Sequence, residues 1–194
     1  MFSKKAGVEE QAVDSIGRGF GRVVQVAYLV EDMDAAMQHW LREAGLGPWT
    51  CFRNIELASR FDGESLTLRI HEGLAYMGDL QIQLVQSLNP VEEKTPYQDY
   101  IRAQRWGVHH MAFFSEDVDA DIARARAQGF ERVCEMRDKA GYRYYYCQSS
   151  AMPDVWIEFL EVYPRLREIY ASGIADAANW DGSDPIRNFE YAEL

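Results

Sequence analysis

Positive charge is scarce in this chain: among 194 residues, 20 Lys and Arg stand against 31 Asp and Glu, a formal net charge of −11. So acidic a molecule lacks the positive field that draws nucleic acid or anionic membrane non-specifically, and both are set aside as partners. Cysteine is scarce too. Cys51, Cys134 and Cys147 are odd in number and too scattered for a Cys-x-x-Cys pair, so no disulfide framework is expected and they read as reduced core thiols. Long apolar runs are also missing. The opening MFSKKAGVEEQAVDSIGRGF is broken by Lys4, Lys5, Glu9, Glu10 and Asp14, which leaves no stretch for a signal peptide or a membrane span. The expectation is a cytoplasmic protein whose residues 1–18 form a loosely held arm.

What is present is an ordinary globular composition, 47% apolar and 26% charged, and an internal repeat. VQVAYLVEDMDAAM from Val24 overlies HHMAFFSEDVDADI from His109, with Ala27, Glu31, Asp32, Asp34 and Ala35 matching Ala112, Glu116, Asp117, Asp119 and Ala120. Each copy has the same physical grammar. A β-rich run ends at an Asp suited to cap a helix. The helix then shows an apolar stripe, Met33, Ala36, Met37, Trp40 and Leu41 in the first copy and Val118, Ile122 and Ala125 in the second, and closes at Gly45 or Gly129. Three strand-like runs follow each helix, separated by turn signals such as Asp62-Gly63 and Ala140-Gly141.

The predicted architecture is α+β, with an arm at 1–18, a first βαβββ module at 19–88 and a linker with a short helix at 89–106. A second βαβββ module spans 107–162, and a C-terminal helix and tail occupy 163–194. The tail belongs to neither copy and reads as a packing arm or dimer contact.

Alternation along a strand sorts side chains onto two faces. Val24, Val26 and Tyr28 are expected under the first helix, and Gln25, Ala27 and Leu29 on the open face. In the second copy His110, Ala112 and Phe114 are open, and His109 is directed to the opposite, packed face. On the last strands Gln83 and Glu158 are open. Gln25, Gln83, His110 and Glu158 therefore occupy repeat-equivalent places and would converge if the copies pair about an approximate two-fold axis. On the third strand Arg69 and His71, opposite Leu66, Leu68 and Ile70, are expected to face the cavity as substrate-binding groups. Tyr145, in the run Tyr142 to Tyr146, is a further substrate contact.

RVVQVAYLVEDMDAAMQHW, GVHHMAFFSEDVDADI and VWIEFLEV resemble the vicinal oxygen chelate superfamily, which includes glyoxalase I, methylmalonyl-CoA epimerase, extradiol dioxygenases and bleomycin-resistance proteins. The resemblance covers roughly residues 20 to 162. It implies that the two modules form an eight-stranded open barrel-like sheet with helices outside, that the protein is a homodimer, and that it acts on a small molecule. It also implies a divalent metal ion (Mg, Mn, Co, Fe(II), Ni or Zn) held by Gln25, Gln83, His110 and Glu158, with Glu158 also catalytic. Two neutral amides depart from the family's usual donors. With one imidazole missing, the ring-cleaving iron site is disfavoured, and the pattern tilts towards proton transfer beside a carbonyl, by an epimerase-like or glyoxalase-like isomerase or lyase. The alternative is a non-catalytic protein of the bleomycin-resistance type that sequesters a small molecule without metal.

Overall fold

Each strand-to-helix turn is closed by the aspartate that the repeat provides. Asp32 accepts from the Ala35 backbone N–H at 2.9 Å and Asp117 from that of Ala120 at 3.0 Å, satisfying one of the orphan donors of a helix start. The first helix stops at Gly45, whose φ of 61° is left-handed and suits glycine. The structure is a computed structural model that describes residues 19–190. The arm expected at 1–18 lies outside the described residues.

The first copy comprises β1 (Val23–Leu29), α1 (Met33–Ala44), β2 (Trp49–Phe61), β3 (Glu64–Met77) and β4 (Leu80–Ser87). A short helix, α2 (Gln98–Arg102), precedes the second copy: β5 (Gly107–Ser115), α3 (Val118–Ala127), β6 (Phe130–Arg137), β7 (Arg143–Ser149) and β8 (Trp156–Glu161). The chain then forms α4 (Pro164–Ala178) and β9 (Ile186–Glu190).

The strands lie in the order β3-β4-β1-β5-β8-β7-β6-β2, and β2 pairs back onto β3, so eight strands form a ring. β6 covers only Ala58 to Phe61 of β2. The other end of that edge, Trp49 to Arg53, is taken by β9 in parallel. The tail thus adds a ninth strand that periodicity did not reveal, because IRNFE is too short and too polar to announce itself.

α1 and α3 lie outside the ring. Met33 and Met37 pack on Trp49, Ala75, Ile82 and Leu84, while Val118, Ile122 and Ala125 pack on Phe113, Ile157 and Phe159. Burial of each Met, Leu, Ile, Val or Phe among them contributes roughly 1.5–3 kcal/mol. Inside, one end is filled by Leu29, Leu68, Ile70, Trp156 and the linker's Tyr97 and Tyr100. α4 takes a different position. Its Leu166 and Tyr170 pack with Val24, Ala112 and Leu160 on the inner face, so this helix crosses the open mouth rather than lying outside. Gly173 permits that approach, since any side chain there would collide with the ring of Tyr76.

The pairing of β1 with β5 is irregular at both ends. Ala27 faces His110 and Tyr28 faces Val108, which leaves His109 as an extra residue; Val23 faces Phe113 and Gln25 faces Ala112, which leaves Val24 as another. The two bulges occupy repeat-equivalent positions. A bulge breaks the two-residue period and re-aims the extra side chain, so both turn inward. Val24 joins Leu160 and Tyr170, and His109 sits among Tyr97, Tyr100, Tyr146 and Trp156. Alternation had directed both the other way. Among the described residues no helix is long and apolar enough to cross a membrane.

Candidate functional site

Two neighbouring rows of the inner face carry the polar side chains. One row runs Gln83, Ala27, His110, Trp156 across β4, β1, β5 and β8; the next runs Gln81, Gln25, Ala112, Glu158. Alanine separates Gln83 from His110 in the first row and Gln25 from Glu158 in the second. The small methyl groups of Ala27 and Ala112 leave room beside the longer side chains. All four of Gln25, Gln83, His110 and Glu158 are buried.

What orients these side chains is visible bond by bond. Gln25 Nε2 donates to Gln81 Oε1 at 2.6 Å, and Gln81 is held in turn by the Tyr170 hydroxyl, which donates to the same oxygen at 2.9 Å, and by Tyr76, which accepts from its Nε2 at 2.6 Å. Gln83 Nε2 donates to Glu72 Oε1. His110 Nδ1 meets His109 Nδ1 at 3.0 Å, and His109 Nε2 reaches the Pro96 carbonyl at 3.2 Å. The other end of each side chain is left unpaired. Seven buried side-chain polar atoms lack a hydrogen-bond partner among the described residues, and four of them are Gln25 Oε1, Gln83 Oε1, His110 Nε2 and Glu158 Oε2. Since an unsatisfied buried polar atom costs about 1–3 kcal/mol, this concentration marks a place for a water, an ion or a ligand.

The charge state sharpens the point. His110 Nε2 and Glu158 Oε2 stand 3.1 Å apart without hydrogen-bond alignment. Burial pushes the His110 pKa down to about 3 and that of Glu158 up to about 8, so the imidazole is neutral and the carboxyl prefers its proton. Two lone pairs facing at this distance need a proton or a cation between them. Two amide oxygens, one imidazole nitrogen and one carboxylate oxygen are also a donor set suited to a divalent ion. The residues present therefore fit such an ion, and the amides would be essential to it: among the described residues no group of three or more His, Cys, Asp and Glu side chains is placed to hold a metal.

Three expected substrate contacts lie elsewhere. On β3 it is Leu68 and Ile70 that fill the ring, so Arg69 and His71 point outward, Arg69 pairing with Glu56 and His71 accepting from the Asn54 backbone N–H. Tyr145 packs beneath α3 with Phe113 and Phe159. Its neighbour Tyr146 faces inward, its ring 4.6 Å from that of His110. Leu68, Ile70 and Tyr146 thus fill the interior of the ring together.

That reversal of β3 reveals a residue that sequence reading missed. Glu72 shares the inner face with Leu68 and Ile70 and is tied to Gln83. Loss of water around it, opposed by the Gln83 hydrogen bond and reinforced by the charge of Glu158, lifts its pKa to about 7. Directly across from it on β2 stands Phe52. Phe52 lines a groove of about 490 Å³ with Thr50, Leu74, Tyr76, Ile169 and Gly173, between α4 and the sheet. Leu74 is paired in turn with Gln83, so the groove floor lies one strand position from the polar rows.

Among solved structures, the chain is similar to methylmalonyl-CoA epimerase from Mycobacterium tuberculosis. Identity is 21%, the TM-score is 0.52, and 75% of this chain and 91% of that one are covered. It is also similar to hypothetical protein BH1468 from Bacillus halodurans C-125, with 15% identity, a TM-score of 0.51, and coverage of 73% and 94%. At these identities the likeness concerns the fold. No curated protein matches its sequence. The family model described as Glyoxalase/Bleomycin resistance protein/Dioxygenase superfamily matches residues 24–146, a span that holds the double strand-helix start, the Val24 and His109 bulges and both inner rows as far as His110 and Ala112 on β5. The chain belongs to the glyoxalase/bleomycin resistance protein/dioxygenase superfamily.

Proposed function

We propose that this protein is a metal-dependent isomerase or lyase that moves a proton on the carbon beside a carbonyl, in the manner of an epimerase or glyoxalase. The observation that carries this reading is the set of four buried unpaired atoms, one on each of Gln25, Gln83, His110 and Glu158. A divalent ion held by them supplies Lewis-acid stabilisation of the enolate that forms when the carbon gives up its proton.

The chain's own residues supply the rest. Glu72, with a pKa near 7, is the general base, because a carboxyl balanced near the working pH both takes and returns a proton. Its hydrogen bond from Gln83 holds one oxygen and leaves the other for substrate. Glu158, expected to serve as ligand and base together, keeps the ligand role, since a carboxylate committed to an ion is a poor base. Glu72 and Glu158 flank the site from β3 and β8, with β4, β1 and β5 between them. The groove beside Phe52 and Leu74 admits a small acyl compound, and α4 with the aromatic interior keeps bulk water from the enolate.

The test is metal analysis of protein purified without chelator, followed by hydrogen–deuterium exchange into an acyl-CoA and a glutathione adduct in deuterium oxide. Near-stoichiometric metal is expected in the wild type, with at least 100-fold weaker binding and no exchange in His110→Ala and Glu158→Ala. Wild-type protein that binds these compounds without metal and without exchange is a sequestering protein instead.

A further inference from the structure

We propose that His109 is a positioning residue: it holds His110 in the tautomer that carries its proton on Nδ1 and presents a bare Nε2 to the ion site. Only the last clause rests on the metal reading above. The tautomer itself follows from the bonding chain.

A carbonyl oxygen can only accept. The contact of 3.2 Å between His109 Nε2 and the Pro96 carbonyl therefore requires the proton of His109 to be on Nε2. A neutral imidazole has one N–H, so His109 Nδ1 is an acceptor. Its partner at 3.0 Å, His110 Nδ1, must then donate. The proton of His110 is thereby spent, and its Nε2 shows a lone pair towards Glu158. Reversing the chain would set the His109 Nε2 lone pair against the Pro96 oxygen. Protonating both rings would set two Nδ1–H donors against each other. Each alternative loses a bond inside a buried aromatic shell of Tyr97, Tyr100, Tyr146 and Trp156.

The bulge makes this contact possible. Adjacent residues on a regular strand point to opposite faces, and only because His109 is the extra residue opposite Ala27 and Tyr28 do two successive imidazoles meet on one side. Partners of this kind, behind a ligating imidazole, fix its orientation and raise its basicity, and their loss commonly weakens metal binding 10–100-fold.

Long-range ¹H–¹⁵N correlation spectra of metal-free protein at neutral pH read the tautomers directly, with or without an ion. His110 is expected to be protonated on Nδ1 and bare on Nε2, and His109 the reverse. A His110 ring protonated on Nε2, or on both nitrogens, overturns the inference. Titration with Mn(II), followed by the paramagnetic resonance of the free ion, adds a second readout. His109→Phe is expected to raise the dissociation constant 10–100-fold, whereas His109→Asn, which keeps an acceptor near the Nδ1 position, stays within a few-fold of wild type. Equal losses in both variants would mean that the ring only packs, and would sink the proposal. Wild-type protein with the expected tautomers and no affinity for Mn(II) would overturn the metal reading while supporting the tautomer.

Discussion

The two bulges of the β1–β5 pair occupy equivalent positions, yet they orient their neighbours by opposite means. In the second copy the extra residue, His109, itself grips the adjacent His110, and the chain of bonds ends within the linker at Pro96. In the first copy the extra residue is Val24, which has nothing to offer an amide. Gln25 instead leans sideways to Gln81 and, through it, to Tyr170, 89 residues further along the chain. Duplication thus fixed where donors emerge from the sheet, while the groups that aim them diverged, local on one side and remote on the other. The same divergence separates β3 from β7. Two positions before the residue facing Gln83 stands Glu72, and two before the residue facing Glu158 stands Tyr144.

The largest test of this asymmetry removes the acid found in the first copy alone. Glu72→Gln is expected to lower substrate proton exchange by about 10²–10⁴-fold, the usual worth of a general base, with metal content unchanged. Loss of metal in the same variant would make Glu72 a support for Gln83 rather than a base.

A smaller effect concerns the second copy's carboxyl. Glu158 and Glu72 have raised pKa values, near 8 and 7, so the stability they contribute is full below about 4.5 and is lost as pH rises through those values. Between pH 7 and 8 these imidazoles are neutral in the folded protein and largely so in the unfolded chain, whose histidines titrate near 6.5. Chelated protein should therefore become less stable across that window, by at most about 1.4 kcal/mol per pH unit for each carboxyl. Glu158→Gln should flatten the decline in denaturant titrations; an unchanged slope would leave Glu158 an ordinary exposed-type acid.

The smallest effect is expected from Tyr170→Phe. It removes one of the two donors to Gln81 Oε1, at a cost of about 1 kcal/mol in stability by thermal melting and a few-fold in Mn(II) affinity. If the loss equalled that of His109→Phe, remote and local aiming would be equivalent and the contrast would disappear.

Much of this was legible in the sequence. The repeat predicted two strand-helix starts, and Asp32 and Asp117 cap the helices as their spacing requires. A two-residue period put Gln25, Gln83, His110 and Glu158 on one face, where they are found. The same counting failed wherever the period breaks or the packing partner was misjudged. A bulge adds a residue without changing composition, so Val24 and His109 gave no sign of turning inward. On β3 alternation turns the apolar set Leu66, Leu68 and Ile70 away from the cavity, but that end of the ring is sealed by the linker, and the set fills it instead. One wrong face promoted Arg69 and His71 and hid Glu72. Tyr170 was hidden by distance, since nothing local in PRLREIYASG announces a partner on β4.

The ninth strand has a consequence of its own. β2 is 13 residues long, and β6 shields only its last four. Without β9 the backbone from Trp49 to Arg53 would present unpaired amides and carbonyls beside the ring of Phe52, an invitation for another copy to add its own strand. Residues 186–190, clasped by Arg53 to Asn188 and Asn54 to Glu190, close off that template, so this stretch of β2 has no open edge on which a foreign strand could pair.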